Sequence, residues 1–484
     1  MEERGTKVVQ ENLNLYQAIA GDIAQLITNG TLRPGDRVPS IRTLSRQQRV
    51  SPSTINQAYF LLERQGLIEA RERSGFYVSA PASPSYKPFS ILSETYAGPV
   101  TVRELITQVL LALRDPELLP LGAGTPSLDL LPLEKMARIT AKVCQDQPEL
   151  VLAYDFAPGS LELRRQIARY SAGFGCAFSP DDLIITSGGI EALNLCLRAV
   201  ARPGDAIAIE SPTYFGVLEA IESLGMHAVE IPTHPETGIS LPDLEQALNE
   251  HKVKACLVMP TFNNPLGSVM SDQKKRELVE LLGEREIPLI EDDIYGDLSF
   301  DGTRPKPCKA YDTRGLVLLC GSFSKTIGPG LRVGWCTPGR FLHQVVLLKG
   351  VTTLATPGLQ QVALARFLEQ GGYQRLLKGL RSTFQANLFR THQVIAEAFP
   401  VGTKVTHPTG GFLLWVELPE GVDAVALHRE ALAAGISITP GPIFSASGNF
   451  QNCIRLNCAN SWSERIEAGL RQLGAIAQRL AASR

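Results

Sequence analysis

The 484-residue sequence contains no run of about 18 or more uncharged apolar residues, so no membrane-spanning helix is expected. Its start, Met1-Glu2-Glu3-Arg4, lacks the apolar core of a secretory signal, and a cytoplasmic protein is expected. The nine cysteines stand singly, with no CxxC pair and no histidine-rich neighbourhood. That spacing argues against a metal site or a disulfide framework and for reduced thiols. No internal repeat or low-complexity tract is present. A net charge of −2 gives no overall sign of nucleic-acid binding.

The composition is that of an ordinary globular protein, 44% hydrophobic and 20% charged, and the length exceeds what one core organises. Two or more domains are expected. The charge is also uneven. Between residues 30 and 75, eight arginines (33, 37, 42, 46, 49, 64, 71 and 73) face four acids (Asp36, Glu63, Glu69 and Glu72). One end of the chain is therefore locally basic.

In that region Leu15, Ile19, Ile23, Leu26 and Ile27 recur at helical spacing and stop at Gly30. After the turn Pro34-Gly35-Asp36, Ser40 caps a short helix carrying Ile41 and Leu44. Ser51-Pro52 opens a third helix, with Ile55, Ala58 and Leu62 on its inner face and its end at Gly66. Leu67–Ala70 and Phe76–Val78 read as two strands joined through Arg73-Ser74-Gly75. Three helices and a hairpin make a winged helix-turn-helix. In such a unit the start of the third helix lies in the major groove, so Ser51, Ser53 and Thr54 are candidates to meet DNA. Arg37, Arg42 and the wing residue Arg71 are candidates to neutralise phosphates. The strings 33–42 (RPGDRVPSIR), 50–55 (VSPSTI) and 61–68 (LLERQGLI) closely resemble the DNA-binding domain of GntR-type regulators, over residues 13–79.

Residues 80–99 are rich in Pro and Ser without sustained periodicity, the composition of a linker able to span at most ~65 Å. The expected layout is a head over 1–79, a linker over 80–102 and a body over 103–484.

Across the body, apolar runs alternate with helical patterns, as in an α/β domain around a mostly parallel sheet. Five runs each end in polar groups. Residues 183–186 lead into Ser187-Gly188-Gly189-Ile190-Glu191, and 206–209 into Ser211-Pro212-Thr213-Tyr214. Residues 255–259 lead into Asn263-Asn264-Pro265-Leu266-Gly267, and 287–290 into Glu291-Asp292-Asp293-Ile294-Tyr295. Residues 316–319 lead into Gly321-Ser322-Phe323-Ser324-Lys325. Open α/β sheets bind ligands at the carboxyl ends of their strands. A Gly-Gly turn opening a helix offers the N–H groups of Gly189 and Ile190 to a phosphate. Ser322, Ser324 and Arg332 would complete that cup. Lys325, desolvated and near other cations, would have a depressed pKa and could bond a carbonyl carbon. Asp292 is the carboxylate that a pyridinium nitrogen needs.

These strings resemble the fold-type I pyridoxal phosphate (PLP)-dependent aminotransferases over residues 115–480, which implies a large sheet domain with a smaller C-terminal α/β domain. The resemblance implies roles by position. Lys325 would hold the cofactor covalently and shuttle protons, and Asp292 would pair with the ring nitrogen. Tyr295 and Asn264 would bond the ring hydroxyl, and Tyr214 would stack on the ring. Gly189, Ile190, Ser322, Ser324 and Arg332 would grip the phosphate, joined by Tyr154 from a partner subunit. Arg455 would clamp a substrate α-carboxylate, with the Gly124 backbone beside it. Two strings depart slightly from relatives, Gly188-Gly189-Ile190 and Asn264-Pro265-Leu266-Gly267; neither removes a contact.

A GntR-type head on an aminotransferase-like body resembles the MocR subfamily of bacterial regulators. That implies a head-to-tail homodimer that binds an operator in double-stranded DNA and senses an amino acid or amine through PLP. Two alternatives stay open: an active aminotransferase carrying a DNA-binding head, and a body that only dimerises the heads.

Overall fold

The computed structural model describes residues 15–27, 29, 31–33, 35–64, 67–71, 75–79, 96–98, 103–112 and 115–482. Gly30, Pro34, Gly66, Arg73, Ser74 and most of the linker read above lie outside the described residues. The chain divides into two compact units, Met1–Pro88 and Phe89–Arg484.

In the first unit, the helix over 15–27 buries Ile19, Ala20, Ile23 and Ile27, while Leu15 and Leu26 on its flanks are exposed. Ser40 accepts a bond from Thr43 N at 3.2 Å and caps Ile41–Gln48, and Arg49 closes that helix in the left-handed region. Ser51 Oγ accepts from Thr54 N at 3.2 Å at the start of Pro52–Arg64. Ile55, Ala58, Tyr59 and Leu62 form that helix's fully buried stripe. The strands Ile68–Arg71 and Gly75–Val78 pair antiparallel, Ile68 opposite Val78. The Tyr59 ring meets the Phe76 ring edge-on at 5.1 Å, and Tyr59 Oη donates to the Pro39 carbonyl. One aromatic thus ties the third helix to both the wing and the preceding turn.

The second unit is built on a sheet that, among the described residues, has nine strands. Five lie parallel side by side, in the order His227–His234, Ala206–Ser211, Val253–Val258, Leu289–Asp292 and Val317–Ser322. Gly334–Thr337 and Ile184–Thr186 follow antiparallel. Alternation along each strand sorts its residues between two cores. Ile207 and Ile209 pack with the helix Gly189–Val200, whereas Ala208 packs with the helices Leu241–Glu250 and Asp272–Glu284 on the other face. All the parallel strands therefore end on the same rim. Tyr96–Gly98, assigned to the linker from its composition, is an antiparallel edge strand on this sheet, with Tyr96 opposite Glu230. Two residues of that strand are apolar or aromatic, but three residues are too few for a period-2 signal.

A four-stranded antiparallel sheet, in the order Lys404–Val405, Leu413–Glu417, Cys453–Asn457 and Thr439–Pro440, forms the smaller C-terminal layer. Its core packs beneath Ala424–Ala433 and Glu464–Ala482. Among the described residues no helix is long and apolar enough to cross a membrane, and no three His, Cys, Asp or Glu side chains gather to hold a metal. All nine cysteines are free thiols.

Candidate cofactor and nucleic-acid sites

At the rim where the parallel strands end lies a cavity of about 330 Å³. Its lining includes Gly124, Gly189, Ile190, Tyr214, Asn264, Asp292, Tyr295, Ser322, Ser324, Lys325, Arg332 and Arg455, so twelve of the thirteen expected body residues converge there. Cavities of about 380 Å³ beside Tyr311 and about 490 Å³ beside Lys274 gather no comparable set of groups. Chemistry, not volume, selects the site.

One end of the cavity is cationic and rich in donors. Helix Gly189–Val200 opens behind Gly188, whose φ of +86° and ψ of 172° only glycine adopts without strain. A Cβ on Gly188 would stand 2.5 Å from Arg332 Nη2. The glycine therefore makes room for the guanidinium, which donates to the Ser187 carbonyl at 2.9 Å. Ser322 and Ser324 face each other at 2.9 Å between their hydroxyl oxygens. Helix amides, two hydroxyls and an arginine are the donors that a phosphate dianion requires.

The middle holds Lys325, whose Nζ donates to the Gly124 carbonyl at 2.6 Å. Burial first, then Arg455 and Arg332, lower its pKa from 10.5 to about 8, against the pull of Asp292. Asp292 ends the strand Leu289–Asp292 and is 2% exposed. Burial, then the neighbouring Asp293, raises its pKa from 3.8 to about 7. Asp292 Oδ1 and Tyr295 Oη are both buried and, among the described residues, have no hydrogen-bond partner. A cationic ring nitrogen opposite the first and a ring hydroxyl opposite the second would satisfy both. The residues fit pyridoxal phosphate: a phosphate cup, an amine, and a carboxylate oxygen and a phenol that make no hydrogen bond among the described residues.

At the far end Arg455 is 1% exposed on the strand Cys453–Asn457. Its Nη1 donates to Asn264 Oδ1 at 3.2 Å, and its Nη2 to Thr439 Oγ1 at 3.1 Å and to the Gly122 carbonyl. Nε has no partner, and the Phe444 ring centroid lies 5.3 Å from the guanidinium carbon. Burial lowers its pKa from 12.5 to about 10, so it remains a cation at neutral pH. It is held in place yet carries no carboxylate, which suits it to a small carboxylate ligand.

The chain as a whole matches known proteins at both ends of this architecture. The family profile "Aminotransferase class I and II" matches residues 116–473. The chain belongs to the class I and II aminotransferase family. Residues 15–78 match the profile of bacterial regulatory proteins of the gntR family. The uncharacterized HTH-type transcriptional regulator YjiR of Escherichia coli is 40% identical over 95% of this chain and 98% of its own length. Aromatic-amino-acid aminotransferase 1 of Thermococcus litoralis is 31% identical over 77% of this chain and 90% of its own. The LysN alpha-aminoadipate aminotransferase of Thermus thermophilus, solved with N-(5'-phosphopyridoxyl)-L-leucine, superposes with a TM-score of 0.71. It is 27% identical and covers 80% of this chain and 100% of its own. Pyridoxal phosphate is the cofactor of this aminotransferase fold, and the donor set described above is built for it.

Of the thirteen expected body residues, Tyr154 is the one that does not line the cavity. It is 70% exposed and packs on Phe156 with ring centroids 5.5 Å apart. In the head, one expectation is corrected. Thr54 is 4% exposed, and its hydroxyl meets Ser51 Oγ at 2.8 Å, so it completes the helix cap instead of facing DNA. The reason is helical phase: Thr54 stands next to Ile55 and one turn before Ala58, on the inner face. Arg71 reaches Glu69 at 2.7 Å and lies 4.5 Å from the Tyr77 ring centroid, so its charge is partly engaged within the wing. Ser51, Ser53, Arg37 and Arg42 are exposed.

Four contributors carry no motif and escaped sequence reading. Gly122 and Thr439 hold Arg455 from distant segments. Buried Glu210 accepts from Met259 N at 2.7 Å, which steadies the segment carrying Asn264. Burial pushes its pKa from 4.5 up to about 8. Buried Glu230 accepts from Ser211 Oγ at 2.7 Å, Ala446 N at 3.1 Å and Ser447 Oγ at 3.0 Å. It ties the strand leading to Tyr214 to the segment following Phe444. An acid inside an apolar strand was the signal available for both glutamates.

Proposed function

We propose that this protein is a MocR-type transcriptional regulator that binds DNA through its head and senses an amino acid through PLP held in its body. The observation that carries the reading is the coexistence, on one chain, of a winged helix-turn-helix and a cavity lined by twelve of the thirteen residues expected to bind cofactor and carboxylate.

PLP supplies an aldehyde carbon that bonds an amine and a ring that withdraws electrons from it. The roles below fall to this chain's own side chains. Lys325 would hold the cofactor, and its amine, with its lowered pKa, could accept or return a proton beside the Gly124 carbonyl. Asp292 keeps a proton on the ring nitrogen, and Tyr295 and Asn264 orient the ring hydroxyl. Tyr214 covers a ring face. Gly189, Ile190, Ser322, Ser324 and Arg332 fix the phosphate. Arg455 takes the α-carboxylate, and replacing the Asn264 and Gly122 contacts on that event gives the ligand different affinities for two arrangements of the body. A coupling of about 1–3 kcal/mol to the DNA-bound state suffices for a 5- to 150-fold response.

The reading includes a head-to-tail homodimer in the cytoplasm, where the operator is. Exposed Val151, Leu152, Tyr154, Phe156, Val351 and Leu354 support a subunit contact there, which would carry Tyr154 to the partner's phosphate.

The test is to add a panel of amino acids to the full-length holoprotein, following the cofactor's absorbance, keto-acid formation and operator affinity together. A stable spectral change with altered DNA affinity and no turnover is the expected result. Sustained keto-acid production with unchanged DNA affinity would make the chain an aminotransferase with an incidental head. No spectral change with any amine would reduce the body to a scaffold.

A further inference from the structure

Asp292 and Tyr295 line the cavity, and Asp292 Oδ1 and Tyr295 Oη make no hydrogen bond among the described residues. Their positions are therefore set by the backbone that carries them and by what grips it. Asp293 and Asp297, which follow them in the chain, do not line the cavity, and both carboxylates meet Arg304. Arg304 Nη2 donates to Asp293 Oδ2 at 2.7 Å, and its Nε donates to Asp297 Oδ1 at 2.6 Å. One guanidinium thus grips this segment at two points, directly after Asp292 and two residues after Tyr295. It has little room to shift. The Phe174 ring centroid lies 3.8 Å from its carbon, and a Cβ on Gly296 would stand 2.8 Å from Nη1 and 2.5 Å from Asp293 Oδ1.

Asp297 carries the grip further. Tyr170 Oη donates to its Oδ1 and Tyr373 Oη to its Oδ2, the latter at 2.6 Å, while Arg381 Nε donates to its carbonyl at 2.7 Å. With its proton committed to Asp297, Tyr373 Oη accepts from Thr326 Oγ1 at 3.0 Å. Thr326 is buried and directly follows Lys325. Burial opposes a charge on Asp297, yet Arg304, Tyr170 and Tyr373 hold its pKa below the ordinary 3.8. It therefore remains an acceptor for these donors at neutral pH. The tyrosines come from the helices Leu161–Ala172 and Tyr373–Ala398, so two helices brace the strand end and the lysine turn together.

We infer that Arg304 is a positioning residue of the cofactor site: with Asp297 and Tyr373 it aligns, from outside the cavity, the three groups Asp292, Tyr295 and Lys325. Groups held from behind by buried, charge-assisted hydrogen bonds keep their geometry ready for a ligand. The inference rests on the assignment of PLP to this cavity, and adds to it the residues that align the groups receiving the cofactor.

The experiment titrates the cofactor-free, full-length protein with PLP, reading the Kd from absorbance. The bound cofactor's absorbance is then followed against pH, with thermal melting in parallel. Arg304→Met and Tyr373→Phe should each raise the Kd roughly tenfold or more and move the pH midpoint of the absorbance change. Arg304→Lys should recover part of both. Lys309→Met breaks a comparably buried ion pair, with Asp312 at 2.9 Å, and a bond to the Val317 carbonyl at the opposite end of the strand Val317–Ser322. It should lower the melting temperature and leave the Kd and the midpoint unchanged. Lower melting temperatures with wild-type Kd and midpoint in Arg304→Met and Tyr373→Phe would overturn the inference, because the cluster would then only stabilise the fold. An equal loss of affinity in Lys309→Met would also overturn it, since affinity would follow stability and not position. Should Arg304→Met fail to fold, Tyr373→Phe decides alone, because it keeps the ring against Tyr170 and Phe323. A wild-type protein that takes up no PLP would instead sink the underlying assignment.

Discussion

Replacing Gly188 with alanine probes the phosphate end of the cavity through backbone geometry alone. Gly188 sits at φ +86° and ψ 172°, and an added Cβ would lie 2.5 Å from Nη2, 2.9 Å from Cζ and 3.1 Å from Nη1 of Arg332. Holding alanine in that conformation costs about 1–3 kcal/mol. The clash is with the end of a flexible side chain, so the guanidinium can move, and the bond to the Ser187 carbonyl is then lost. A charge-assisted hydrogen bond is worth about 1.5–3 kcal/mol, which places the expected loss in PLP affinity at roughly 10- to 150-fold. Gly189→Ala is the matched control, because its Cβ would meet Ile294 Cγ2 at 3.5 Å and Ser322 Cβ at 3.6 Å, ordinary contacts, and it keeps the amide. The assay is titration of the cofactor-free protein with PLP, with thermal melting in parallel. A Gly188→Ala protein that binds PLP within twofold of wild type would refute the assignment of Arg332 and this turn to the phosphate.

Three further outcomes are expected. Glu210, with its pKa raised from 4.5 to about 8, contributes stability that is fully present below pH 4.5 and is lost as the pH rises through 8. Glu210→Gln can still accept from Met259 N, and its melting temperature should fall less between pH 5 and 8 than that of wild type. Lys325, at about 8 instead of 10.5, is roughly one-quarter neutral at pH 7.5, so PLP capture by the cofactor-free protein should speed up with pH and level off just above 8. A rate still climbing through pH 10 would contradict this. Arg42→Ala should weaken operator binding about equally across sequences and lower the log–log salt slope by about one, read by fluorescence anisotropy at several salt concentrations.

The site was legible where chemistry follows a strand. Five apolar runs each ended in a group that only a shared rim could use, and the sheet order brings those groups together. The head was legible because caps and helical spacing are local: Ser40 and Ser51 cap the helices they were expected to cap. What stayed hidden depends on residues far apart in the chain. Thr439 and Gly122 meet Arg455 across 16 and 333 positions, and nothing local marks them. Glu230 reads only as an acid within an apolar strand, yet the two segments carrying Ser211 and Ala446 close around it. Thr54 was misplaced by proximity, since three hydroxyls within four residues gave no hint of which one faces inward. Leu110 lines the cavity without any motif to mark it, because sequence spacing does not tell a cavity wall from a core.

The edge strand Tyr96–Gly98 has a consequence for how chains of this architecture can vary in length. Because Tyr96 is matched residue for residue to Glu230, and side chains alternate faces with a period of two, a single insertion between this strand and the helix Arg103–Ala112 would shift one of them out of register. Loop entropy rises only slowly with added residues. The changes of chain length that cost least are thus those that leave Tyr96 opposite Glu230. Such changes need not touch the cavity at the carboxyl ends of the strands.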